Sequence, residues 1–269
     1  MHLGNGGKMG DGMLVLIDLD KTLIDASYRV TDGGIRNAIE SAQAGGHLIG
    51  LSSDSALATL ATWHEEFGMN GPILAERGAV YQATRFSGAV PTGSADESCF
   101  AAMREFYRAR LLDLGFEVAI CDPSVWIRSG QSRYVVKKTA LLNAHRRWSF
   151  HASFLGDDAA VNLALDLFVA ACSEFALRSE DFYLDANTEY GLLIVHSRLS
   201  HKGFGMAKLM QDLGFSEASV IGDGENDFTG LASVRHWAVG NANSVYKSRC
   251  DRVAGQPYTS GVIELLSGL

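Results

Sequence analysis

Apolar residues arrive along this chain in two rhythms. Met13-Leu14-Val15-Leu16-Ile17 is an unbroken apolar run, and unbroken runs suit a central strand covered on both faces. Thr31 is placed to cap a helix in which Ile35, Ala38, Ile39 and Ala42 repeat at helical spacing, and Gly45-Gly46 end it. His47 to Leu51 predicts a second strand. Asp54 opens a helix through Leu57, Leu60 and Ala61, and segments 72–75 and 79–82 predict two more strands. Alternating strands and helices are the rhythm of a parallel sheet with right-handed crossovers.

From about 84 to 197 the pattern changes. Ser94 and Glu97 have capping-box spacing before a long helix through Phe100, Met103, Phe106, Tyr107 and Leu111. Segments 117–121, 133–137, 177–184 and 191–196 predict strands, and Asp157-Asp158 precede an apolar helix reaching about Phe175. This block reads as a small sheet with two helices on one face. The first rhythm then resumes, with helix at 203–213, strand at 218–221, a short helix at 227–232, strand at 236–239 and a closing helix at 260–266. The expected architecture is α/β: a Rossmann-like parallel-sheet core from 1–83 and 198–269, with an α+β cap inserted at 84–197.

Composition narrows the class. The chain has 269 residues, 47% hydrophobic and 20% charged, which is enough to bury a sizeable core. A net charge of −8 lacks the basic footprint of a nucleic-acid binder. Cys99, Cys121, Cys172 and Cys250 lie far apart without zinc or redox spacing, so buried thiols in a reducing compartment are expected. Met1 to Gly12 is Gly-rich and polar, unlike a signal peptide, and no stretch approaches the ~20 apolar residues of a membrane helix. A cytoplasmic protein, monomeric or homodimeric, with no membrane partner is the expectation.

Chemistry concentrates at strand ends. Asp18-Leu19-Asp20-Lys21-Thr22 follows the first predicted strand, where open parallel sheets place ligands. Two carboxylates so close repel by about 4 kcal/mol at 4 Å for an effective dielectric near 20. A divalent cation offsets that, although an acidic solvated turn has the same spelling. Gly222-Asp223-Gly224-Glu225-Asn226-Asp227 follows a second apolar strand. With Asp18 and Asp20 it gives an oxygen-rich set suited to Mg²⁺, and alternatively an Asx-type turn capped by Asn226 or Asp227. Ser52 offers a hydroxyl near a helix start and Lys202 a positive charge, both apt for a phosphoryl group. Alone, each reads equally as a cap and a surface lysine.

These pieces, in this order, resemble the haloacid-dehalogenase-like superfamily, and within it the Cof-type sugar-phosphatase branch. The likeness spans Leu14 to about Leu266. It includes Leu74-Ala75-Glu76-Arg77-Gly78-Ala79, Val239-Gly240-Asn241-Ala242 and Ser260-Gly261-Val262. The resemblance implies a phosphatase that acts on a small phosphorylated metabolite such as a sugar phosphate or phosphoglycolate. It assigns Asp18 as nucleophile, Asp20 as acid and base, and Thr22 to steadying the loop. Ser52, Lys202 and Asn226 fall to the phosphate side. Mg²⁺ falls to Asp18, the Asp20 carbonyl and Asp223, with Asp227 close by. The sequence departs from the branch at Ser52-Ser53-Asp54, commonly Thr-Gly-Arg, and at Arg77, usually asparagine. Arg77 is therefore a candidate substrate contact or a salt-bridging residue, and Asn187, Glu189 and Tyr190 are further cap candidates. A phosphomutase or phosphotransferase shares the chemistry as far as the aspartyl-phosphate. A non-catalytic binding module would lack one of the four acidic and basic residues.

Overall fold

A computed structural model describes residues 12–122, 138–155, 160–188 and 191–269. The expected strand at 133–137, the helix start at Asp157-Asp158, Glu189, Tyr190 and the Gly-rich tail through 11 lie outside the described residues.

The larger sheet has eight strands. In chain order they are β1 (Leu14–Ile17), β2 (Leu48–Ser52), β3 (Ile73–Ala75), β4 (Val80–Gln82), β5 (Ala89–Pro91), β11 (Ala218–Gly222), β12 (Val234–Ala238) and β13 (Arg252–Val253). Their spatial order is β13-β12-β11-β1-β2-β3-β4-β5. Pairing is parallel from β13 to β3 and antiparallel in β3-β4-β5. β1 lies at the centre and all four of its residues are buried. Val15 and Ile17 pack towards the helices α1 (Ile35–Ala44), α2 (Leu57–Glu66) and α7 (Tyr258–Leu266). Leu14 and Leu16 pack on the other side, against Met206, Leu209 and Met210 of α5 (Lys202–Leu213). The period-two alternation of a strand, covered twice, is why the run is apolar throughout. The short helix α6 (Ser244–Lys247) follows β12.

The second sheet has five strands: β6 (Glu117–Cys121), β7 (Thr139–Asn143), β8 (Ser149–Leu155), β9 (Phe182–Asn187) and β10 (Leu192–Ser197), in the order β6-β7-β8-β10-β9. Helices α3 (Glu97–Asp113) and α4 (Ala160–Glu174) cover one face. Phe100, Met103 and Tyr107 there meet Phe150, Ala152, Leu193 and Val195 of the sheet. By alternation the opposite face carries Ser149 and His151 from β8, His196 from β10 and Tyr183 from β9, and it looks back at the first sheet.

Several expectations need correction. The boundary at 83/84 cuts through the β4–β5 hairpin, because Ala89–Pro91 pairs with β4 in the large sheet. Thr31 does not cap α1: its backbone amide and hydroxyl turn to the Thr259 hydroxyl, and Gly34 takes the cap position. Asp96, not Ser94, caps α3 by accepting from the Ser98 amide. α2 begins at Leu57, after an extended Ala56. The strand expected at 177–184 starts at Phe182, after a 3₁₀ turn at Ser179–Asp181, and the helix expected at 227–232 is a 3₁₀ turn at Glu225–Asp227. Strands β7 and β8 went unread.

The two sheets are tied at their crossings. Ser94, after β5, and Ser200, before α5, share a hydroxyl–hydroxyl hydrogen bond of 3.2 Å. Away from these connections, Glu76 of the core is fully buried and accepts from three donors at the end of the β7–β8 loop and the start of β8. They are Arg147 N at 3.0 Å, Trp148 N at 2.9 Å and Ser149 Oγ at 2.6 Å.

Candidate active site

The site lies at the carboxyl ends of the central strands, as parallel-sheet topology dictates. The Asp18 amide donates to Ile221 O at 2.8 Å, so the β1–β11 ladder runs one residue past β1 and holds Asp18 beside the end of β11. The chain then folds back, with Leu19 O accepting from the amides of Leu23 and Ile24. This turn needs a left-handed residue, and Lys21 supplies it at φ 61°. Asp20 sits within the turn, half-buried, with Ser55 Oγ 3.5 Å from its Oδ2.

Lys202 is the first residue of α5 and is 1% exposed. Its ammonium donates to Asp18 Oδ1 at 2.7 Å, Asp227 Oδ1 at 2.5 Å and Ser52 O at 3.2 Å. The other Asp227 oxygen accepts from the amides of Asp223 at 3.0 Å and Gly224 at 3.2 Å. Gly222 is required here, since a Cβ at that position would collide with the Asp227 carboxylate. One oxygen each of Asp18, Asp223 and Asp227 lie within 4.8 Å of one another.

The electrostatics follow from burial and crowding. Asp18 titrates well above the usual carboxylate range, first because it is buried and next because Asp227 repels it, with Lys202 pulling the other way. Asp223 is pushed up to about 6, again by burial and then by Asp227. Burial also raises Asp20, against the pull of Lys202 and Arg146. Lys202 stays firmly charged: burial opposes its charge, but Asp18, Asp227 and Asp54 outweigh it. Asp18, Asp20, Asp223 and Asp227 share one buried ammonium, with Lys21 acting on Asp223 and Arg146 on Asp20, so carboxylates outnumber cations here. The donors of this group are all hard oxygens, a set that fits Mg²⁺.

The remaining residues divide. Ser52 reaches the group through its carbonyl, at the end of β2, with α2 starting only at Leu57. Thr22 is fully buried, and its hydroxyl has no partner among the described residues. Asn226 is exposed in the 3₁₀ turn, and among the described residues no hydrogen bond or ion pair joins it to the carboxylate group. Arg77 lies in a left-handed conformation at φ 60°, with one guanidinium nitrogen 3.6 Å from Asp54 Oδ2 and its plane 4.1 Å above the Tyr183 ring. The two departures from the branch pattern thus face each other. Sequence reasoning did not find Arg146, His151 or His196: Arg146 and His151 belong to the undisclosed β7–β8 segment, and His196, on the expected strand at 191–196, carried no signal of its own.

The chain has the fold of the haloacid-dehalogenase-like hydrolases, with a parallel core and a cap. A haloacid dehalogenase-like hydrolase from Bacteroides thetaiotaomicron superimposes with a TM-score of 0.68 at 18% identity, over 96% of this chain and 99% of its own. A haloacid dehalogenase-like hydrolase from B. subtilis does so with a TM-score of 0.57 at 19% identity, over 96% and 99%. A protein described as a subclass IIB sugar phosphatase matches with a TM-score of 0.60 at 13% identity, over 95% and 98%. No protein-family profile and no curated protein sequence matches the chain.

Proposed function

We propose that this protein is a Mg²⁺-dependent phosphatase that hydrolyses a small phosphorylated metabolite through an aspartyl-phosphate on Asp18. The observation that carries the reading is the buried Lys202 bridging Asp18 and Asp227, with Asp223 completing a carboxylate cluster at the strand ends. The sugar-phosphatase description of one structural neighbour points the same way.

In this reading the Asp18 carboxylate attacks phosphorus, the ester P–O bond breaks, and the departing alcohol oxygen takes a proton from Asp20. Asp20 then accepts a proton from the water that attacks the acyl phosphate, releasing inorganic phosphate and restoring Asp18. Lys202 orients Asp18 and faces the phosphoryl oxygens, and Ser52 lies beside it. Asp227 acts mainly by position, because both of its oxygens are already engaged. Asp18, Asp223 and the Asp20 carbonyl are the groups left to hold Mg²⁺. Bound there, the cation supplies charge neutralisation for the phosphoryl oxygens. The second sheet narrows the entrance, which favours metabolites over macromolecules.

The test is phosphate release from p-nitrophenyl phosphate with and without Mg²⁺, by the wild type and Asp18→Asn. Release that depends on Mg²⁺ and vanishes in the variant is expected. Equal release by both proteins overturns the assignment. With a hexose 1-phosphate, isomerised ester rather than free phosphate would identify a mutase.

A further inference from the structure

The turn that carries Asp20 is held by its backbone more than by its side chains. The Asp20 carboxyl has one hydrogen bond among the described residues, a long one of 3.5 Å from Ser55. Thr22, expected to steady the loop, is fully buried, and its hydroxyl finds no partner among the described residues. Between the two, Lys21 is exposed and left-handed at φ 61°. A residue with a Cβ keeps that conformation only where its surroundings hold it.

The support comes from two strands away. β11 separates β12 from β1, and the chain leaving β12 runs through Val239-Gly240-Asn241-Ala242, a stretch so far without a role. Asn241 Nδ2 donates to Lys21 O at 2.7 Å, across 220 residues of sequence. Asn241 Oδ1 accepts from the Tyr258 amide, also at 2.7 Å, and Tyr258 is itself left-handed at φ 48°. One carboxamide thus joins two left-handed backbones, spending its donor on one and its acceptor on the other. The stretch is anchored in turn. Gly240 N donates to Gln256 O at 2.7 Å, where a Cβ on Gly240 would collide, and Asn243 N donates to Asp223 O at 2.9 Å.

We propose that Asn241 is a positioning residue for Asp20, acting through the Lys21 carbonyl. Lys21 lies between two peptide planes. The second carries the carbonyl that Asn241 holds, and the left-handed φ of Lys21 relates it to the first. The first carries the Asp20 carbonyl, and its orientation sets how the Asp20 carboxyl leaves the chain. With only a 3.5 Å contact of its own, that carboxyl takes its direction from this backbone. The inference rests on the proposed phosphatase reading, in which Asp20 protonates the leaving oxygen.

Two variants separate the ends of the bridge. Asn241→Ala removes both hydrogen bonds. Asn241→Asp keeps an acceptor for the Tyr258 amide but has no donor for Lys21 O, and it decides the matter if circular dichroism shows the alanine variant unfolded. Each is compared with the wild type on phenyl phosphate and p-nitrophenyl phosphate, with Mg²⁺. Nitrophenolate departs readily as an anion, whereas phenoxide depends on a proton from Asp20. In both variants kcat/KM is expected to fall about 10- to 100-fold on phenyl phosphate and at least about fivefold less on p-nitrophenyl phosphate. A merely structural role lowers both esters alike, so equal losses, or a wild-type ratio in folded Asn241→Asp, overturn the inference. Amide hydrogen exchange reads the bridge without catalysis. The Leu23 and Ile24 amides, which close the turn on Leu19 O, should exchange faster in both variants while β11 is unchanged. Unaltered exchange at 23 and 24 also overturns it. If the wild type hydrolyses neither ester yet exchange in the turn responds to Asn241, the phosphatase reading fails and the bridge to the turn stands.

Discussion

A buried ammonium persists only where anions enclose it, and Lys202 has Asp18 and Asp227 within 2.7 Å. Replacing it by methionine keeps the length and removes the charge, leaving two buried carboxylates opposed. Breaking one side of such a pair costs about 3–5 kcal/mol. Lys202→Met is therefore expected to lower the unfolding midpoint in denaturant, and Mg²⁺ should raise the thermal midpoint of this variant more than that of the wild type. An equal Mg²⁺ increment in both would show that the cation and Lys202 do not share these carboxylates. A neighbouring residue acts through shape alone. Gly222→Ala pushes a methyl group into the Asp227 carboxylate, an overpacking worth about 1–3 kcal/mol. Phosphatase activity should fall with stability, since Asp227 would shift from Lys202.

Strands β8 and β10 carry a pH dependence. His196 is held down to about 3, chiefly by burial, against the pull of Asp54 and with Arg146 and Arg77 adding to the drop; His151 is also lowered, by burial, Arg146 and His196. Both rings stay neutral in the folded protein where the unfolded chain, titrating near 6.5, takes up protons. Stability is then full above about 6.5 and declines as pH falls, by up to about 1.4 kcal/mol per pH unit for each ring. Chemical denaturation at pH 7.5 and 5.5 should show this decline, and the double variant His151→Gln/His196→Gln should flatten it. An unchanged slope would remove the histidines as its source.

These same elements show what a linear reading reaches. Asp18, Asp20 and Asp223 were legible because each follows an apolar run that could only be a central strand. Lys202 was legible only in their company. β7 was not, because Thr139–Asn143 sets only three apolar residues, Ala140 to Leu142, between two polar ends, too short a run to announce a central strand. With β7 and β8 unread, Arg146 and His151 had no place, and His196, though on an expected strand, takes its meaning from partners far away in sequence. Glu76 was visible within a branch-like stretch, yet its three donors lie more than seventy residues on. The left-handed backbone at 76 and 77 was equally hidden, although asparagine, usual at 77, tolerates that conformation better than arginine.

At the scale of the molecule, Glu76 governs how closely the two sheets approach. Glu76→Ala would orphan two amides and a hydroxyl in a buried seam, at about 1–3 kcal/mol for each donor left unpaired. Faster amide hydrogen exchange over 147–149 is expected, with the parallel core unaffected. Uniform acceleration across both sheets would point to global destabilisation instead.

The hydroxyl pair of Ser94 and Ser200 sets the kind of motion open to such a structure. Because the outgoing and returning chains are clasped side by side, both chain connections to the cap lie along one margin, with Glu76 adding a non-covalent tie away from it. Swinging about that margin alters the seam between the two sheets most at its far rim and least at the clasp. Entry would then be ordered: the phosphate end, nearest the strand termini, arrives first, and the leaving-group end is enclosed last.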